Sequence, residues 1–155
     1  MTTIIACVDP RMGLSFNQKR QSRDKNVIHD ILKVTEHNNI IINPYSIEYV
    51  LTNKNDTSDN HRWIITKNPI ETLENPDFIH SDYVFVEINT LPEIAALLNK
   101  ADRVILYIWN ETYMYTEQFP DIRKQTQWTK ISSHSFPGSS HDEITCEIYE
   151  RTTSM

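Results

Sequence analysis

Short apolar runs alternate with helical patterns along most of this chain, and that alternation restricts the fold more than any other feature. Continuous apolar runs are typical of strands buried on both faces of a parallel sheet. They lie at residues 3–8, 40–42, 63–66, 83–86 and 104–108. Apolar residues at helical spacing, or helix-forming composition, predict helices over 24–37, 46–51, 91–98 and 111–119. Two more strands are predicted at 126–131 and 142–151, with a turn at Pro137-Gly138 between them.

This order of elements predicts an α/β fold with a mainly parallel sheet flanked by helices. Two successive strands at the end of the chain predict an antiparallel C-terminal edge. The polar run 53–60 is expected to be a loop. A chain of 155 residues is long enough to bury a sizeable core, so we expect one domain over 1–155.

Glycine is scarce, since Gly13 and Gly138 are the two that the chain contains. Backbone that approaches a phosphate closely usually relies on several glycines, because a side chain would block the approach. Any nucleotide-binding hypothesis must therefore explain how the phosphates are held without a glycine-rich loop.

The net charge of −6 and the pI of about 5.4 disfavour a general nucleic-acid or anionic-membrane binder. No run approaches the length of a membrane span. One local basic cluster stands out, and it is either a solvated loop or a surface that steers a small anionic ligand. Its members are Arg11, Lys19, Arg20, Arg23 and Lys25.

Cys7 and Cys146 each lie inside an apolar run, which favours small buried side chains in a reducing, cytoplasmic compartment. The histidines lack metal-binding spacing, so no metal site is predicted. A Gly-x-Ser-x-Gly elbow is absent from the sequence, which argues against a Ser-His-Asp hydrolase.

Asp24 begins a predicted helix, on the same face as Ile28 and Ile31. A carboxylate beside an apolar stripe would be desolvated, which would raise its pKa and suit it to bind a donor pair or assist protonation. The alternative is that Asp24 is an N-cap without chemistry. The sequence leaves both interpretations open.

Several short segments in order resemble the dihydrofolate reductase family over nearly the whole chain. They are Ile5-Ala6-Cys7 with Asp9 and Gly13, Asp24 with Val27 and Ile28, 64–69, 90–97, 115–120 and 146–151. The resemblance implies that fold and an NADPH-dependent reduction of 7,8-dihydrofolate to tetrahydrofolate. It implies a monomer that takes a pterin or folate and binds neither nucleic acid nor membranes.

The resemblance also implies roles for individual residues. Asp24 would anchor the pterin and orient the protonating water. The implied substrate-binding residues are Ile5, Ala6, Ile28, Ile31, Arg62 and Thr129, with Thr129 next to the acid. The implied cofactor-binding residues are Gly13, Ser46, Lys67, Asn110 and Tyr113.

The cofactor side departs from the family pattern. Ile108-Trp109-Asn110 stand where the family has a Gly-Gly pair, and Asn43-Pro44 replace a Gly-Arg turn. One alternative is therefore a catalytically inactive binding or structural protein on the same scaffold. Another is a reductase of the same fold that acts on a ribosylated pyrimidine, although Asp24 favours folate over it.

Overall fold

A seven-stranded sheet lies at the centre of the protein in the computed structural model, which describes residues 1–52, 61–75, 77 and 82–152. The strands are β1 (Thr2–Val8), β2 (Gly13–Phe16), β3 (Lys19–Arg20), β4 (Asn39–Ile42), β5 (Arg62–Ile65), β6 (Asp82–Val86), β7 (Arg103–Ile108), β8 (Glu117–Gln118), β9 (Trp128–Phe136) and β10 (Ile144–Arg151). The helices are α1 (Lys25–Val34), α2 (Pro44–Thr52), α3 (Pro69–Glu74) and α4 (Leu91–Lys100), with a 3₁₀ turn at Ile122–Lys124. The predicted loop 53–60 lies outside the described residues.

The strand order in the central sheet is β5-β4-β6-β1-β7-β10-β9. β1 runs parallel to both neighbours, with Ile5 opposite Phe85 and Ile105. β10 is antiparallel to β7 and to β9. The predicted mainly parallel sheet with an antiparallel C-terminal edge is therefore confirmed.

Helices cover both faces of the sheet, so successive side chains of β1 enter two different layers. Ile4 and Ala6 pack in the layer that α3 and α4 cover. Ile5 packs in the layer of α1 and α2. The two residues that the resemblance assigns to one substrate pocket, Ile5 and Ala6, thus point to opposite sides of the sheet.

The predicted helix over 111–119 is wrong. Apart from the two residues of β8, the segment has no regular structure, and it runs alongside β2. Thr116 N donates to Ser15 O and Phe119 N to Met12 O, at 2.8 Å each. These long-range partners replace the intrahelical bonds, and the β-branched and aromatic residues of the segment favour extended backbone.

A second, smaller sheet in the order β3-β2-β8 lies beside the main one. β2 and β3 form a hairpin whose two turn residues, Asn17 and Gln18, have φ of 49° and 60°. Two successive left-handed residues are typical of a two-residue turn that matches the twist of the strands. The hairpin places Arg20 between the main sheet and α2, as its contacts below show.

Cys146 is buried and Cys7 is half-buried. Burial raises the pKa of Cys7 above its ordinary value and that of Cys146 to about 12, so neither thiol is ionised at neutral pH. Both are free in the described structure. None of the helices that it describes is long and apolar enough to cross a membrane.

Candidate functional site

A cleft of about 700 Å³ lies between β3, the start of α1 and α2. Four cationic side chains line it, which are Lys19, Arg20, Arg23 and Lys25. The rest of the lining consists of Asp24, Tyr45, Glu48, Tyr49, Thr52 and Ser140. We call this site the cationic cleft. The fifth member of the basic cluster, Arg11, lies elsewhere and donates to the Tyr113 carbonyl at 2.8 Å.

Arg20 links the cationic cleft to the interior. Its guanidinium donates two hydrogen bonds to the Glu87 carboxylate, at 2.8 and 3.0 Å. The side chains are 9% and 8% exposed, so the pair is buried. The guanidinium also lies over the rings of Tyr45 and Tyr49, at 4.4 and 4.3 Å from their centroids. Charge pairing and cation–π contact thus hold it in one place.

A small cavity lies inward of this ion pair. Its volume is about 10 Å³, which holds roughly one water molecule. Arg20 and Glu87 lie at one side, and Val27 and Ile28 of α1 contribute apolar wall. The interior between α1 and the sheet is therefore almost completely filled by the protein's own side chains.

Asp24 is the N-cap of α1, as one of the two interpretations of the sequence predicts. Its carboxylate accepts five hydrogen bonds that occupy both oxygens. Oδ1 accepts from Asn26 N, Ser139 N and Ser139 Oγ, and Oδ2 accepts from Ser140 N and His141 Nδ1. The side chain is fully buried, so Asp24 joins the start of α1 to the loop after β9.

The expectation of a raised pKa for Asp24 is wrong. Burial by itself raises the pKa of this carboxyl, but the bonds from Ser139, His141, Ser140 and Asn26 outweigh it and lower the pKa to about 2. Donors that point at a carboxylate stabilise its charged form. Asp24 is therefore ionised at neutral pH and is not poised to release a proton there.

His141 extends the network beyond Asp24. Its Nε2 lies 2.9 Å from Ser22 Oγ and 3.0 Å from the Tyr113 hydroxyl. The ring is stacked on Trp109, with 4.7 Å between the centroids. The side chain is 4% exposed, so the imidazole is held by polar contacts at both nitrogens and by an aromatic face.

Each of the two glycines packs against a buried aspartate. A Cβ on Gly13 would lie 2.9 Å from Asp9 Oδ2, and one on Gly138 would lie 2.4 Å from Asp24 Oδ2. Neither has a positive φ. Glycine is therefore needed at these positions because a side chain would not fit, and not because of the backbone conformation. Both glycines therefore permit close packing against carboxylates.

Gly138→Ala is expected to lower the free energy of unfolding by about 2 kcal/mol, because the new methyl group must displace the Asp24 carboxylate. Thermal and urea unfolding measure the change. Ser140→Ala, an exposed position in the same loop, is the control and is expected to shift stability by less than about 0.5 kcal/mol. Equal stability of the two variants would contradict the proposed crowding.

The arrangement of the chain is similar to that of a known enzyme. The dihydrofolate reductase of Enterococcus faecalis, in a complex with NADP(H) and RAB-propyl, superposes with a TM-score of 0.67 over 99% of this chain and 97% of that one. The chain has the dihydrofolate reductase fold. Sequence identity is 15%, and no protein-family model or curated protein sequence matches the chain.

Within this dihydrofolate reductase fold, the residues assigned to the cofactor follow the carboxyl ends of the parallel strands β1, β4, β5 and β7. Gly13 N and Tyr113 N both donate to the Asp9 carboxylate, at 2.9 and 3.0 Å. Ser46 is buried, and its hydroxyl donates to Glu87 at 2.7 Å. Lys67 and Asn110 are exposed beyond the ends of β5 and β7. All five residues therefore lie at the edge of the central sheet where its parallel strands end.

The residues assigned to the substrate are divided between the interior and the sheet edges. Ile28 and Ile31 are buried in the layer of α1 and α2, whereas Arg62 is exposed at the start of the edge strand β5. Thr129 bonds Thr152 at 2.6 Å near the start of β9. The loop that reaches Asp24 follows the other end of that strand, so the expectation that Thr129 lies next to the acid is wrong.

Sequence reasoning did not find the residues that dominate the site. Glu87 and His141 carry no local signal, because their partners Arg20 and Asp24 are 67 and 117 positions away along the chain. Arg20 could be found as a member of the basic cluster. Its pairing with a buried carboxylate depends on the hairpin turn, which contains none of the Asn-Gly or Asp-Gly pairs that usually mark such turns.

Proposed function

We propose that this protein binds a planar, anionic ring compound of the pterin or folate class in the cationic cleft and transfers no hydride to it. The observation that carries the proposal is the cleft itself. Its volume of about 700 Å³ lies in the usual range of ligand pockets. Four cations and two carboxylates, Asp24 and Glu48, line it in a chain whose net charge is −6, and Tyr45 and Tyr49 contribute aromatic surface.

The filled interior supports binding without reduction. A cavity of about 10 Å³ is far below the roughly 300 Å³ at which small-molecule pockets begin. The Arg20–Glu87 pair and the apolar Val27 take up the space at α1. Asp24, the acid expected to anchor a pterin, has both oxygens bonded to the protein itself.

The residues at the expected cofactor site do not fit a dinucleotide phosphate. The Ser46 hydroxyl already donates its hydrogen bond to Glu87. Residues 109–121, all described, form no α-helix whose N-terminus could face a pyrophosphate. Trp109 is 4% exposed against His141, so it offers no open backbone surface.

A second candidate function is the NADPH-dependent reduction of dihydrofolate. The observation that favours it is the likeness over almost the full length to a reductase in complex with NADP(H). Reduction of a ribosylated pyrimidine is a variant of the same candidate. Both require the Arg20–Glu87 pair to move, because that pair lies between the cationic cleft and the interior.

Calorimetric titration of folic acid tests the proposal. We expect binding that weakens with added salt and weakens about tenfold in Arg23→Gln, because one charge-assisted contact is lost. Lys124→Gln is the matched control, since Lys124 is an exposed cation on the 3₁₀ turn and not in the cleft. Its affinity is expected to equal that of the wild type.

Absorbance of NADPH separates the candidates. With dihydrofolate or a ribosylated pyrimidine present, we expect it to stay constant. Oxidation that depends on the second substrate would establish the reductase and overturn binding without turnover. Absence of folic acid binding to a folded wild-type protein would overturn the ligand class that we propose.

A further inference from the structure

Asp24, His141 and Ser22 form a continuous chain of hydrogen bonds. Asp24 Oδ2 lies 2.9 Å from His141 Nδ1, and His141 Nε2 lies 2.9 Å from Ser22 Oγ. A carboxylate that holds one ring nitrogen while the other meets a hydroxyl is the arrangement that activates nucleophilic serines on unrelated folds. We propose that Ser22 is a nucleophile, with His141 as its base, and that it cleaves esters with a small acyl group.

The roles of the two imidazole nitrogens follow from their partners. An ionised carboxylate only accepts hydrogen bonds, so Asp24 requires the proton on Nδ1. The lone pair of Nε2 then points to the Ser22 hydroxyl, which is the direction in which a base must act. Stacking on Trp109 and near-complete burial hold the ring in this orientation. Asp24 acts here as a positioning residue.

Tyr113 shares Nε2 with Ser22. Its hydroxyl lies 3.0 Å from that nitrogen and 3.4 Å from Ser22 Oγ. The two hydroxyls therefore compete for the single lone pair of Nε2, and the Ser22 hydroxyl can donate to the Tyr113 oxygen instead. Without the Tyr113 hydroxyl, Ser22 would be the one hydroxyl at Nε2. We therefore expect Tyr113 to lower the reactivity of Ser22 in the resting protein.

The surroundings of Ser22 indicate the substrate class. Ser22 is partly exposed and lines the interior cavity, whose volume of about 10 Å³ admits a group about the size of a methyl. Its sequence neighbour Arg23 and the loop residue Ser140 line the cationic cleft. The substrate class is therefore an ester whose acyl group is about as small as acetyl and whose alcohol is anionic. The interior cavity would take the acyl group, and the cationic cleft would take the alcohol.

The reaction balances with water as the second substrate. Ser22 Oγ bonds the carbonyl carbon, and its proton moves to His141 Nε2. The ester C–O bond breaks, and that proton passes to the departing alkoxide. Water then attacks the acyl-serine with His141 as base, which releases the carboxylic acid and restores the hydroxyl.

No local sequence motif marks this site. Ser22 and Asp24 are two residues apart, and His141 lies 117 positions beyond Asp24. Such a set is defined by geometry and roles and not by sequence order. The absence of a Gly-x-Ser-x-Gly elbow excludes one way of presenting a serine, not the triad itself.

Labelling with a fluorophosphonate probe, followed by peptide mass spectrometry, tests the proposal directly. In the folded full-length protein we expect the label at Ser22 and at least a tenfold lower rate in His141→Gln. Tyr113→Phe is expected to label at least as fast as the wild type. Ser133→Ala, an exposed serine on β9 that lines neither cavity, is the control, and its rate is expected to match the wild type.

Hydrolysis of p-nitrophenyl acetate gives the matching activity readout, which we expect Ser22→Ala to abolish. Circular dichroism establishes that each variant is folded. If His141→Gln does not fold, Ser22→Ala and Tyr113→Phe still carry the test. A wild type without label at Ser22, or a Ser22 label whose rate is unchanged in folded His141→Gln, would overturn the proposal.

Discussion

Asp24→Asn is expected to lower the free energy of unfolding by about 3 kcal/mol at pH 7, because it leaves buried donors facing an amide instead of a charge. The substitution preserves shape, so the loss reports hydrogen bonding and charge. Both oxygens of Asp24 are occupied, and one becomes an NH₂ group directed at N–H donors. Urea unfolding measures the change. Asp142→Asn, an exposed carboxylate in the same loop, is the control with an expected change below about 0.5 kcal/mol.

The acid limb of the stability curve gives a second readout of Asp24. Its pKa falls from an ordinary 3.8 to about 2 on folding, so the unfolded chain binds the proton more tightly. The stabilisation is complete above pH 3.8 and is lost as the pH falls through 2. It amounts to about 2.5 kcal/mol. We expect the free energy of unfolding of Asp24→Asn to fall less steeply between pH 4 and pH 2 than that of the wild type. Equal pH dependence of the variant and the wild type would contradict a lowered pKa for Asp24.

Glu87→Gln is expected to cost about 3 kcal/mol of stability, because it leaves the Arg20 guanidinium buried without its counter-ion. Ser46 can still donate to the remaining carbonyl oxygen, so the loss reports the charge pair. Chemical unfolding measures the change. The exposed pair Lys100–Glu74 supplies the control, since Glu74→Gln is expected to change stability by less than about 1 kcal/mol.

Arg20→Met, Glu87→Leu and their double variant form a double-mutant cycle that separates the pair from its surroundings. Arg20→Met with Glu87→Leu removes both charges, so we expect it to be more stable than Glu87→Gln alone. Equal stability of Glu87→Gln and the wild type would mean that solvent reaches the pair. The same variants test the second candidate function, because loss of the pair opens the route from the cationic cleft to the interior.

Elements with a local cause are predictable from this chain. The buried strands β1 and β7 are continuous apolar runs, and α1 has apolar residues at helical spacing. The segment 111–119 shows where local reasoning ends. It is predicted as a helix, but its backbone donors pair with Ser15, Met12 and the Asp9 carboxylate. A strand partner about 100 positions away leaves no mark on the local sequence.

The same contrast applies to the site. The sequence alone determined the order and type of most elements and a basic cluster, because hydrophobic periodicity and charge are properties of neighbouring residues. Only the tertiary structure decided that Asp24 is ionised and bonded on both oxygens, since four of its five donors come from a loop some 115 residues away. Arg20 and Glu87, and likewise His141 and Ser22, are far apart in the sequence and meet only in the folded chain. The pKa and reactivity of a buried group depend on the partners that the fold delivers to it, and the position of that group in the sequence does not specify them.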